Sequence, residues 1–255
     1  MAGYTLGGLL GAAAALRRAK AVHPKGAVHR AELVTFGDPG PAAGGALFAE
    51  AREHAAVVRF SRSLGVPRPL PDLLGMAVRV LDAYGRGAHQ DFLMVTSVDA
   101  PVLHHLFVPA SDVQLRPYSS SLPYTAGGRR FIVGALPVSG SPRPDGSDEL
   151  DRLARAAATG WLSFDLAVAP VMGRFRPVAE LRVGDRLGEE ADALRFDPFN
   201  TGGGLELAGA LNRLRDYAYP MSQRAWAATA AEGAQEAAER EVSRVAAPEQ
   251  AALTS

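Results

Sequence analysis

Between Ala27 and Val138 the chain is a succession of short apolar runs, "AELVTF", "AAVVRF", "GMAVRVLDA", "DFLMVTSV" and "RRFIVGALPV", each closed by a glycine- or proline-containing break. Runs of this length, rich in valine and phenylalanine, are too short between breaks for a packed helix and read as strands. Several such strands in succession bury their apolar faces only by packing against one another, which points to a barrel or a sandwich. This pattern constrains the fold more than any other feature of the sequence.

The later half reads differently. "SGSPRPDGSD", residues 139–148, has the composition of a surface loop, and "DELDRLARAAATGWL" after it is helical, ending near Gly160. A further strand, "SFDLAVAPV", precedes a second polar region containing "ELRVGD". "ALRFDPFNTGGG" then leads into a helix expected to start near Leu205, with the glycine run as its flexible entry. From Ala225 the sequence is alanine- and glutamate-rich, helical by propensity, and frays at "APEQAALTS". Strands first and helices last is an α+β order. The expected organisation is an N-terminal helix over 1–20, a main domain over 21–226 with the strands in about 27–195 and a helix over 205–224, and a helical or disordered tail over 227–255.

Composition removes several function classes. A chain of 255 residues, 47% apolar, can bury the core of one large domain, with or without a helical appendage. Acidic and basic residues balance at 27 each, so no global field recruits nucleic acid or an anionic membrane. The absence of cysteine excludes thiol nucleophiles, zinc-thiolate and iron-sulfur clusters, and a thiolate-ligated haem. The apolar stretch from Leu6 to Leu16 has no basic segment before it and falls short of the ~20 residues of a membrane span, so stable membrane insertion is not expected and a cytoplasmic location follows by default.

Three local patterns carry chemistry. On the helix expected after Gly204, Leu211, Arg215 and Tyr219 follow at spacings of four, which places a guanidinium over the phenol. A cation there favours the phenolate, a hard anionic ligand for ferric iron. Near the N-terminus, His23 stands between an apolar pair and a Pro-Lys-Gly turn in "AVHPKG", a setting that fixes an imidazole for acid/base work. In "VVRFS", Arg59 and Ser61 share one strand face because side chains alternate. A non-haem alternative groups His89 and Asp91 of "HQD", two residues apart on a strand, with His104 or His105 as a facial triad. No G-x-S-x-G is present, and "TGGG" lacks the lysine of a phosphate loop.

Taken in order, "VHPKG", "VRFS", "PDLLGMAVRV", "QDFLMVTS" and the late "RDYAYP" resemble the haem catalase superfamily, and "PYSSSLPYTAGGRRFIVGALP" is similar to a barrel stretch of small catalase-related proteins. The resemblance covers about two-thirds of the chain. It implies an α+β fold with a catalase-like antiparallel β-barrel core and flanking helices, haem b as cofactor, and hydrogen peroxide or a small organic hydroperoxide as substrate. It makes His23 the distal acid/base, Ser61 its hydrogen-bond partner, Arg59 a haem-propionate contact, Tyr219 the axial iron ligand and Arg215 the group that keeps Tyr219 a phenolate. The family's distal asparagine has no counterpart near "DFLMVTSVD", and the hydroxyl of Thr96 is expected in its place. Pro24 follows the histidine where the family has alanine, and Gln223 and Trp226 stand where it tends to carry histidine and arginine. The resemblance leaves two outcomes open: a haem peroxidase or catalase-like oxidoreductase, or a haem-free barrel that binds a small molecule or a protein partner, with homo-oligomerisation undecided.

Overall fold

The computed structural model describes residues 26–63, 66–67, 70–208 and 230–246. Ten strands are present among them: β1 (Gly26–Phe36), β2 (Ala51–Arg62), β3 (Leu74–Val80), β4 (Gln90–Thr96), β5 (Tyr118–Ser119), β6 (Tyr124–Ala126), β7 (Arg129–Pro137), β8 (Leu162–Pro170), β9 (Arg176–Arg186) and β10 (Glu206–Leu207). Helix α1 spans Glu149–Ala158 and α2 spans Ala230–Ala246.

The strands run β7-β5-β4-β3-β2-β1-β9-β8, and β8 pairs back onto β7, which closes an eight-stranded antiparallel barrel. Closure removes the unpaired edges of an open sheet. Alternation then sorts the side chains. On β2, Ala56, Val58 and Phe60 point into the barrel, while Val57, Arg59 and Ser61 point out. The interior is a packed core and not a channel: Phe60, Phe92, Phe131, Phe164, Tyr118 and Tyr124 are fully buried there. Phe60 meets Phe164 at 5.8 Å and Phe92 meets Tyr124 edge-on at 5.7 Å. Each such ring contributes about 1.5–3 kcal/mol from burial alone.

β9 overlies the segment read as polar. Its outward residues Arg176, Glu180 and Arg182 are charged, but Val178, Ala179, Leu181 and Val183 are buried in the core. The register slips between Leu166 and Ala167 of β8, opposite Ala179 and Pro177, so the period of two is broken within this strand. Leu205 likewise does not begin a helix: Glu206 and Leu207 form β10 and pair with Thr125 and Tyr124. The glycines before it are packed rather than loose. Gly203 and Gly204 have φ of 56° and 85°, Gly203 lies against the Tyr84 ring, and a side chain on Gly204 would meet the Gly44 carbonyl.

Helix α1 begins where Asp148 accepts from the backbone N–H groups of Leu150 and Asp151, at 2.9 and 3.0 Å. Its first residue, Glu149, joins Asp72 on buried Arg62, whose Nη2 also donates to the carbonyls of Val66 and Leu70. That guanidinium pins α1 and the β2–β3 connection to one end of the barrel. Helix α2 packs Ala238 and Val242 against Val28 and Val57 on the outside, together with Ala191, Leu194 and Phe196. No helix among the described residues is long and apolar enough to cross a membrane.

Candidate functional site

The outward face of β1–β4 holds the strand residues singled out above. The register aligns Gly26, Ser61, Gly75 and Val95 in one row, Val28, Arg59, Ala77 and Leu93 in the next, and Arg30, Val57, Arg79 and Asp91 in a third. Rows two residues apart lie about 7 Å from one another and neighbouring strands about 4.8 Å apart. The first two rows set small and apolar residues around one guanidinium and one hydroxyl; α2 and residues 187–196 cover Val28, and Ala77 and Leu93 pack against that cluster.

Glycine shapes these rows. A Cβ on Gly26 would come within 2.7 Å of Arg59 Nε, and one on Gly75 within 2.9 Å of Ser61 Oγ. Both side chains lie in space that only glycine leaves open. Arg59, Ser61, Gly75, Ala77 and Leu93 are all half-buried. Burial pushes the Arg59 guanidinium below its ordinary value, and the charge of Asp192 acts in the opposite direction. Asp192 is itself fixed: it accepts from the Val28 N–H at 3.0 Å and from Arg186 Nη2 at 2.8 Å.

The third row is occupied by structure. Arg79 donates from Nε and Nη2 to the two oxygens of Asp91, both at 2.7 Å, and from Nη2 to the carbonyl of Arg195 at 2.7 Å. Asp91 also accepts from the Asp197 N–H and from Asn200 Nδ2. With its acceptor sites filled, Asp91 is not a metal ligand. His89 lies apart, accepting from the Asp82 N–H at 2.9 Å, and His104 and His105 bond to Val171 of the β8–β9 turn. The facial triad of His89, Asp91 and His104 or His105 is therefore corrected: these side chains do not converge, and among the described residues no group of three or more His, Asp or Glu side chains is arranged to hold a metal ion.

Arg59 and Ser61 are brought together on this face. Thr96 is not. It follows Phe92 and Met94 on the inward face of β4, is fully buried, and its Oγ1 accepts from the Leu74 N–H at 3.2 Å. The spacing of two from Met94 carries that information, since alternate residues share a face. His23, Arg215 and Tyr219 lie outside the described residues. Sequence reasoning missed Gly26, Gly75 and Ala77; the alternating small residues of "LGMAVRV" were the available signal.

No protein-family model matches the sequence, and no curated relative matches it. Solved structures do. A fungal catalase aligns at a TM-score of 0.58 with 13% identity, covering 79% of this chain and 58% of that one. A bacterial catalase aligns at 0.53 with 14% identity, covering 79% and 56%. Catalase A from Saccharomyces cerevisiae aligns at 0.55 with 12% identity, covering 78% and 59%. The fold is thus the catalase-like barrel, and the chain spans less than two-thirds of the length of these catalases.

The described residues fit a haem in part. A flat apolar ring with carboxylate arms needs apolar surroundings and a cation, and the glycine-relieved rows around Arg59 have that character. Tyr219 and Arg215, the residues that the resemblance assigns to the iron, lie outside the described residues.

Proposed function

We propose that this protein is a haem-dependent oxidoreductase acting on hydrogen peroxide or a small organic hydroperoxide, with haem b held over the outward face of β1–β4. The observation that carries this reading is the pairing of Arg59 and Ser61 above Gly26 and Gly75 on a catalase-like barrel. Arg59, half-buried and lying against Gly26, would take a haem carboxylate. His23 precedes Gly26 by three residues, a stretch of chain that reaches at most about 11 Å, and Gly26 pairs with Ser61. Ser61 would orient the imidazole of His23, which would take a proton from one peroxide oxygen and return it to the other. Tyr219 would hold the iron as a phenolate, and Arg215 would be the cation that keeps it ionised. When bound, haem supplies the redox-active iron for O–O cleavage.

The test is the ultraviolet-visible spectrum of protein expressed with haem precursor. A Soret band with high-spin ferric features supports the reading, and Tyr219→Phe should then lose haem or change the spectrum. His23→Ala should retain haem and react more slowly with peroxide by about 100-fold or more. An unchanged spectrum in the first variant, or an unchanged rate in the second, removes that residue from the mechanism.

One observation favours a second reading, a haem-free barrel that binds a small apolar molecule or a partner. Ala77 and Leu93, part of the second row, already pack against the apolar cluster formed by α2 and residues 187–196. A colourless protein that takes up no added hemin would select this reading.

A further inference from the structure

Outside β7, two turns hold four large apolar side chains in water. Of the eight large hydrophobic residues exposed among the described residues, Val102, Leu103, Leu106 and Met172 belong here, at 46%, 47%, 56% and 65% exposure. The others, Phe36, Leu70, Leu115 and Trp161, come one to a segment. Single exposed apolar residues are ordinary, but four held together mark a contact surface.

The two turns are tied to each other. Leu103–His105 is a 3-10 turn entered through Val102 at φ 67°, a strained conformation for a β-branched residue. His104 Nε2 and His105 Nε2 lie 3.1 and 2.9 Å from the carbonyl of Val171, and His105 Nδ1 lies 3.0 Å from that of Ser121. Ser97 Oγ lies 3.0 and 2.7 Å from the carbonyls of His104 and Leu106. The His104 ring packs on Phe175, which covers Gly134 of β7. Leu103, Leu106 and Met172 each stand next in sequence to a residue of this frame. The surface is braced in advance, so little ordering opposes the arrival of a partner.

Charge on either side of the cluster selects that partner. Around the barrel the strands follow in the order β4, β5, β7, β8, β9. Asp99 comes just after β4, and the bond from the His104 N–H to the Ala100 carbonyl, 3.1 Å, keeps it beside the turn. Arg174 lies on the opposite flank, between β8 and β9. Both are exposed, and neither makes an ion pair or side-chain hydrogen bond with a described residue. Arg129 and Arg130, which begin β7, and Glu206, across Thr125 from Arg130, complete a rim of mixed charge. The order acid, apolar cluster, base is self-complementary. A two-fold axis through the cluster sets Asp99 of one copy against Arg174 of the other, twice. Such a rim fits a protein surface, whereas an anionic membrane would repel Asp99 and Glu206.

We propose that this surface joins two copies of the chain in an isologous dimer, with Leu103, Leu106 and Met172 at its centre and two Asp99–Arg174 pairs at its margin. β2, which carries Arg59 and Ser61, lies four strands from β7 in either direction round the barrel, so the dimer does not rest on the peroxide reading.

The experiment follows the mass of the full-length protein by sedimentation velocity over a dilution series. A reversible monomer–dimer equilibrium is expected. Met172→Asp should weaken association by about 30-fold or more, as loss of a central apolar contact does. Asp99→Arg and Arg174→Asp should each weaken it by about tenfold, because like charges then meet across the axis. The two together should restore association to within a few-fold of the parent, and Trp161→Asp should leave it unchanged. All four positions are exposed in the monomer, so these substitutions leave the core intact. A parent that stays monomeric throughout overturns the proposal, including one that pellets instead with vesicles of phosphatidylserine and phosphatidylcholine. So does a dimer indifferent to Met172→Asp, or a double swap that fails to restore association. No haem or peroxide is added, so this test and the spectral test of the peroxide reading fail independently.

Discussion

Arg59 and Arg79 point outward from neighbouring strands, one row apart, and meet opposite fates. Arg79 is gripped by both oxygens of Asp91, lies 5.3 Å from the Phe196 ring, and donates to the Arg195 carbonyl. Burial by itself would depress its guanidinium, and the Asp91 hydrogen bond and charge more than offset this, so the net direction is up. Arg59 is pushed down by burial, with Asp192 as the opposing charge. Arg79, gripped by its own chain, is a structural rivet. Arg59, beside Gly26, is the cation proposed above to take a haem carboxylate.

Breaking the rivet should give the largest effect. Asp91→Ala leaves Arg79 buried without its carboxylate and frees Asp197 N–H and Asn200, and a loss of about 3–5 kcal/mol is expected in urea unfolding. Arg59→Leu sharpens the contrast: it should lose less stability than Asp91→Ala, while uptake of added hemin falls. If Arg59→Leu unfolds as readily as Asp91→Ala, the two arginines do the same work and the distinction fails. Gly75→Ala should be nearly neutral in stability yet displace Ser61 Oγ, slowing the peroxide reaction of the haem-loaded protein without removing haem. An unchanged rate would take Ser61 out of the mechanism.

The smallest effect is on pH. Burial holds the imidazoles of His29 and His104 below their ordinary value of 6.5, His29 inside the barrel with Nδ1 on the Gly184 carbonyl. The unfolded chain therefore takes up protons before the folded one does. Stability should be level above about pH 7 and fall as pH drops through 6.5 toward the lowered folded values, by at most about 1.4 kcal/mol per pH unit for each histidine. His29→Phe should flatten that slope; an unaltered slope would mean His29 titrates alike in both states.

Much of the barrel was legible because its strands repeat one rule. β1, β2, β3, β4, β7 and β8 each fall on an apolar run visible in the sequence. β9 was hidden because the register slip places Val178 and Ala179 together in the core and sets Arg176, Glu180 and Arg182 outside, so its pattern reads as polar. β6 and β10 are too short to show any period. Within the candidate site, the shared face of Arg59 and Ser61 followed from alternation alone. The opposite orientation of Thr96 was available from the same rule, applied from Met94.

The sequence by itself determined the α+β order, the strand-rich core and the common face of Arg59 and Ser61, because these depend on spacing within single segments. Only the tertiary structure decided that β8 returns to β7 and closes the barrel, that Asp91 belongs to Arg79, and that His104 and His105 share the Val171 carbonyl. Each of those joins residues distant in the chain or chooses among several available partners. Such choices are settled by the packing of the whole core, which no local period encodes.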